Sequence, residues 1–146
     1  MNISRRLLLS LSGVVAGGLL TSTVFAPVVL AATPPSTPWT WGGNTFGELG
    51  QGNIVADRVP GPVLNLADVT DIHGGREHVA ALRSDGTVWT WGSNKQGQIG
   101  IGGSVNQPTP VRVTSLSGIT AVETGHNHSL ALKSDGTVWA WGLNTD

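Results

Sequence analysis

Cysteine is absent from the 146 residues, which removes disulfides, thiolate metal sites, cysteine nucleophiles and a lipoprotein attachment point together. A folded domain of this composition relies on packing alone. Positive charge is also scarce, with eight lysines and arginines against nine aspartates and glutamates. Two of the eight, Arg5 and Arg6, fall in a leader-like segment, so the remainder has six basic and nine acidic residues and a net charge of 6 − 9 = −3. Nucleic-acid phosphates are met by faces rich in Lys and Arg, so a nucleic-acid partner is not expected. Sustained helical spacing of apolar residues is missing after residue 38, which excludes an α-helical domain. No serine, histidine and acid arrangement stands in a known motif, and no paired carboxylates recur. Neither an enzyme nor a bound cofactor is expected.

The first residues read as a targeting segment. Asn2 to Arg6 form a short basic stretch, the 24 residues from Leu7 to Leu30 carry no charge, and Ala31 and Ala32 offer a small-residue cleavage site. A signal peptide over residues 1–31 follows, and export with it. Ser4-Arg5-Arg6-Leu7-Leu8-Leu9 resembles a bacterial twin-arginine signal, although Ser10 stands where a basic residue is usual, and the general secretory route stays open. An uncharged run of this length also suffices to span a bilayer as an anchor. Pro27 and the small residues after it favour cleavage, which leaves the membrane relevant only to this segment. Residues 32–38, with Pro34, Pro35 and Pro38, read as a short, stiff linker.

Tryptophan is what the chain has in a pattern. Its six tryptophans form three Trp-x-Trp-Gly units, Trp39/Trp41/Gly42, Trp89/Trp91/Gly92 and Trp139/Trp141/Gly142, spaced 50 residues apart. Laying residues 39–88 over 89–138 without a gap gives 22 identities in 50, concentrated at glycines and alternating apolar positions, as a duplicated supersecondary unit leaves them. The chain thus holds one repeat over 39–88, a second over 89–138 and the start of a third over 139–146. Because the third unit stops inside its motif, the chain reads as a fragment.

Within each repeat the apolar period is near two, and four strands are predicted near Val59 to Leu64, Val69 to His73, His78 to Arg83 and Thr87 to Trp91. Ser84-Asp85-Gly86-Thr87 and Ser134-Asp135-Gly136-Thr137 are hairpin turns, in which glycine supplies positive φ and aspartate caps its own turn. Alternation puts Trp89 and Trp91 on one face and Val88 and Thr90 on the other. A lone four-stranded sheet leaves the ring-bearing face wet, whereas two stacked sheets bury it across one interface. Each buried indole then contributes roughly 2 to 3 kcal/mol and needs an acceptor for its N–H.

Residues 84–102, SDGTVWTWGSNKQGQIGIG, resemble the repeat of the regulator-of-chromosome-condensation (RCC1-like) propellers. Gln107-Pro108-Thr109-Pro110-Val111 is similar to the start of that family's outer strand, and Gly125-His126-Asn127-His128-Ser129-Leu130-Ala131-Leu132 to its glycine-histidine-alanine-leucine strand. The resemblance covers residues 39–146. It implies an all-β fold, with about two four-stranded antiparallel blades of a seven-bladed ring. It also brings three family functions: guanine-nucleotide exchange on a small GTPase, ultraviolet-B perception, and protein binding by secreted bacterial members, including inhibition of β-lactamases. Exchange requires a protruding wedge and a basic surface, and because the repeats carry neither an insertion nor an excess of positive charge, exchange-factor-like activity by family analogy is the less expected alternative. Where the photoreceptor has its chromophore tryptophan, this chain has Arg76 and His126.

Other residues have plainer readings. His78 and His128 occupy equivalent positions, and His126 is two residues from His128, a spacing that would place both rings on one strand face. Without a third ligand, hydrogen bonding to a neighbouring backbone is the expected role and no metal site is expected. Asp85 and Asp135 belong to turns. Gly97 to Gly103 lack the lysine and helix of a phosphate loop. The variable segments Asn53 to Arg58 and Gly103 to Gln107, with Asn53, Asp57, Arg58, Ser104, Asn106 and Gln107, are the candidate contacts for an unknown protein or cell-envelope partner. Alternative roles are a structural module that self-associates through exposed edges, or a non-catalytic part of a larger exported enzyme.

Overall fold

The computed structural model describes residues 36–145; the expected signal peptide and most of the linker lie outside them. The described residues form nine strands and no helix. In chain order these are β1 (Trp39–Gly42), β2 (Asp57–Pro62), β3 (Val69–Gly74), β4 (His78–Arg83), β5 (Val88–Gly92), β6 (Gln107–Arg112), β7 (Ile119–Thr124), β8 (His128–Lys133) and β9 (Val138–Gly142). They assemble into a two-stranded sheet β1-β2, a four-stranded sheet β3-β4-β5-β6 and a three-stranded sheet β7-β8-β9, with antiparallel pairing throughout.

The four strands expected within one sequence repeat do not share a sheet. The outer strand β2 pairs with β1, and β3 opens the next sheet. Hydrogen bonding therefore runs out of phase with the 50-residue period. A repeat supplies the outer half of one sheet and the inner half of the following one. Two repeats and a remnant yield one full sheet flanked by two partial ones, so there are two inter-sheet interfaces where a two-sheet stack has one.

Local chemistry explains each sheet. The Ser-Asp-Gly-Thr turns close β4 onto β5 and β8 onto β9, with Gly86 and Gly136 at φ of 76° and 85°. Asp85 Oδ1 accepts from the Thr87 amide (3.1 Å) and hydroxyl (2.6 Å), and Asp135 does the same with Thr137. These bonds, the hydroxyl's first, hold both carboxyls below the usual aspartate range. The glycine of each Trp-x-Trp-Gly unit has φ near 100°, and the register of β1-β2 and β5-β6 slips there as a bulge. The outer strands β2 and β6 contain Pro60, Pro62, Pro108 and Pro110, whose missing N–H groups blunt those edges against further pairing.

The full sheet buries both faces. Ala81 and Trp91 pack against Val63 and Leu66 that follow β2, with Trp89 half-buried beside them. On the other side Leu82, Val88, Val113 and Leu116 pack against Ile119, Val122, Ala131 and Trp141. The face opposite the tryptophans is thus a second core face. Trp39 and Trp41 on the first sheet, and Val138 and Trp139 on the last, are exposed.

Candidate functional site

The long connections β1-β2 and β5-β6 emerge at one end of the sheets and follow one plan. Asn44 is buried; its Oδ1 accepts from Leu49 N (2.9 Å) while Nδ2 donates to the carbonyls of Asn53 and Val55, both at 3.0 Å. Asn94 repeats this with Ile99 N (3.1 Å) and the Gly103 carbonyl (3.2 Å). In the first two Trp-x-Trp-Gly units the residue between the tryptophans fastens the same loop, Thr40 to the Leu49 carbonyl (2.6 Å) and Thr90 to the Ile99 carbonyl (2.7 Å). A buried amide that satisfies backbone groups on both sides fixes a loop as firmly as a short ladder does. The recurrence of Asn three residues before a Gly-x-(Leu/Ile)-Gly run was the available sequence signal for this role.

Each loop also docks on the next sheet. Trp91 Nε1 donates to the Glu48 carbonyl (2.7 Å) and Trp141 Nε1 to the Gln98 carbonyl (2.9 Å), so each of these indoles finds its acceptor on the preceding sheet's loop. Gly52 N donates to the Pro108 carbonyl across the first interface (2.9 Å). Gly50 and Gly100 lie against the Trp91 and Trp141 indoles, where a Cβ would come within 2.9 and 2.6 Å of Nε1.

Of the segments expected to touch a partner, Asn53, Asp57 and Asn106 use their side chains on nearby backbone. Asn53 Oδ1 accepts from Val55 N (2.8 Å), Asp57 Oδ1 from Val59 N (3.0 Å) and Asn106 Oδ1 from Asn94 N (3.0 Å). Gln107 Nε2 reaches the Val105 carbonyl at 3.3 Å. Arg58 and Ser104 are exposed. Beside them Ile54, Val55 and Val105 are 64, 70 and 73% exposed, apolar contributions that the sequence reading did not single out.

The histidines divide. His78 is fully buried and its Nε2 lies 3.0 Å from Ser129 Oγ, a side-chain hydroxyl on the third sheet. Ser129 Oγ in turn donates to the Gln98 carbonyl (2.9 Å). With that proton committed, Ser129 accepts from His78 Nε2–H, which leaves Nδ1 bare, and Nδ1 has no hydrogen-bond partner. Burial pushes the imidazole down to about 4, with the His128 backbone pulling the other way and the His128 charge adding to the drop. Gly75 makes room for this ring, since a Cβ there would lie 2.6 Å from both His78 Nδ1 and the Gly125 carbonyl oxygen. His128 packs over Gly125 in the same way but is exposed. His126 lies before β8 begins, not in the strand as its spacing suggested, and its carbonyl accepts from Arg76 N (3.2 Å).

Ser129 and His78 are the geometry of a nucleophile and its base, but the chemistry is the reverse. The serine is buried, its proton points to a carbonyl, the histidine donates where a base would accept, and no acid orients Nδ1. The pair is a structural clasp between sheets. Among the described residues no three His, Asp or Glu side chains converge as metal ligands.

Antiparallel sheets stacked face to face, each completed by the next repeat and presenting long loops at one end, define a β-propeller segment. The sequence pattern described as the regulator of chromosome condensation (RCC1) repeat matches residues 39–82 and 85–132, and a second pattern of that description matches 69–98 and 119–146. The chain belongs to this repeat family. No curated protein matches it. Among solved structures, Prp20p from Saccharomyces cerevisiae, titled with its binding properties to Gsp1p and histones, is similar with a TM-score of 0.65 and 24% identity over 71% of this chain and 28% of that one. A chain of the structure of Kap60 bound to yeast RCC1 (Prp20) gives 0.63 and 24%, covering 71% and 27%. Human WBSCR16 gives 0.61 and 22%, covering 71% and 28%. The chain spans less than a third of the length of these propellers.

Proposed function

We propose that this chain is part of an exported protein-binding scaffold, whose contact surface is the tips of the β1-β2 and β5-β6 loops. The observation behind this reading is the contrast within each loop. The base is fixed by a buried asparagine, a threonine and the next sheet's tryptophan, while the tip exposes Ile54, Val55 and Arg58 in one repeat and Ser104 and Val105 in the other. Rigid bases with exposed, differing tips suit recognition of another protein, because little ordering entropy is lost on binding. The negative balance of the part after the leader points away from nucleic acid.

The test replaces the exposed tip residues Ile54, Val55, Arg58, Ser104 and Val105 with Gly or Ser in the full chain and compares its cross-linked partners from cell-envelope extracts with those of the native protein. Loss of a specific partner together with an unchanged thermal midpoint supports the reading. An unchanged partner set sinks it. Self-association is the second reading, favoured by the exposure of Trp39 and Trp41 on the first sheet and Val138 and Trp139 on the last. Light scattering distinguishes it by a defined multimer that persists after the loop exchange.

A further inference from the structure

We propose that His78 is an acid-sensitive latch that holds the second sheet to the third and releases that interface, and not the first, when its imidazole is protonated. The geometry is specific to one interface. His78 Nε2–H reaches across to Ser129 Oγ at 3.0 Å, Ser129 returns its proton to the Gln98 carbonyl at 2.9 Å, and the same carbonyl receives Trp141 Nε1–H at 2.9 Å. One imidazole, one hydroxyl and one indole thus share a closed set of bonds between two sheets. At the first interface the position equivalent to Ser129 is Val79, and the indole of Trp91 bonds to the Glu48 carbonyl without a histidine in the set. A proton added to His78 goes to Nδ1, which is buried against Gly75 and has no hydrogen-bond partner. The new N–H and its charge are desolvated, and separation of the sheets relieves both.

The neighbouring charges do not cancel this. On the His78 side stand Arg76 and Glu77, whose side chains lie 3.7 Å apart and face each other. From the third sheet come His126 and His128, both exposed and both positive when protonated, and the His128 charge opposes a charge on His78. The loop after β5 contributes Gln98, which does not titrate. Elsewhere on this interface His73 lies 3.0 Å from Glu123 and 3.2 Å from Asp71, an arrangement that protonation of His73 strengthens, so it works against release and is retained in every variant below.

Linkage gives the sign and size. The open interface restores His78 to its ordinary value of 6.5 while the closed one holds it at about 4. Opening therefore takes up a proton as pH falls below about 6.5, and its equilibrium constant rises by up to about tenfold per pH unit, reaching about 150-fold at pH 4. Above 6.5 it is flat.

The test is hydrogen exchange of the Trp141 and Trp91 indole N–H groups in the full chain from pH 7 to 4. Both are the same chemical group on successive interfaces, so the intrinsic pH dependence cancels in their ratio. The expected result is a Trp141/Trp91 rate ratio that climbs by about two orders of magnitude in the native chain and stays level in His78→Gln, whose side-chain amide donates to Ser129 without titrating. A level ratio in the native chain overturns the proposal, as does an equal climb in His78→Gln. Should His78→Gln fail to fold, the native ratio is read against the His78 Cε1–H chemical shift. Coincident midpoints support the latch, and a climb unconnected to the His78 titration refutes it.

Discussion

Trp91 gives the sharpest test of how this stack is held. It is fully buried against Val63, Leu66 and Ala81, and its indole N–H is committed to the Glu48 carbonyl at 2.7 Å. Trp91→Ala removes the ring and leaves a cavity between the first two sheets, a loss of about 3 to 5 kcal/mol. Trp91→Phe keeps most of the ring volume but strands the Glu48 carbonyl, which costs about 1 to 3 kcal/mol. Trp41, at the equivalent position, is 61% exposed, so Trp41→Ala costs about 0.5 kcal/mol or less. Urea unfolding of the full chain, followed by circular dichroism, reads these as midpoint shifts. With a slope of about 2 kcal/mol per molar, Trp91→Ala moves the midpoint down by about 2 M and Trp41→Ala leaves it within about 0.25 M. Equal shifts for the two alanine variants would refute the assignment of stability to the first interface. A silent Trp91→Phe would refute the part given to the hydrogen bond.

Two further outcomes follow from close contacts. Gly75→Ala places a methyl group on the His78 ring and the Gly125 carbonyl, and because neither can retreat without opening the second interface, the expected loss is about 1 to 3 kcal/mol in thermal or urea unfolding. Asn94→Ala leaves Ile99 N and the Gly103 carbonyl without partners; a loss of about 2 to 3 kcal/mol is expected, with faster amide exchange confined to residues 94–106.

The strands, the two hairpins and the alternation of β5 were legible in the sequence because each is a local matter. Gly86 and Gly136 announce turns, and a period of two announces a half-buried strand. The grouping of strands into sheets was not legible, since a period of 50 residues fixes the length of the unit and not where within it one sheet ends. Asn44 and Asn94 recur at one position of the repeat, and the fold adds that their amides are buried at the base of each loop. The clasp joins His78 to Ser129 across 51 residues, and the indole acceptors are the main-chain carbonyls of Glu48 and Gln98, groups that every residue type has and no sequence pattern marks. Membership of the regulator-of-chromosome-condensation repeat family was legible throughout, whereas the bonds of Asn53, Asp57 and Asn106 to nearby backbone and the exposure of the apolar Ile54, Val55 and Val105 show only in the fold.

The offset between the 50-residue period and the sheets also bears on how such a protein changes over generations. Because β2 and β3 lie in different sheets yet in one unit of sequence, the covalent chain stitches each sheet to the next. A duplication or deletion of 50 residues then adds or removes one whole sheet wherever its breakpoints fall, since the strand restored at the junction is equivalent to the strand displaced. Unequal recombination between the near-identical Trp-x-Trp-Gly segments can lengthen or shorten the array without leaving a strand unpaired at the seam.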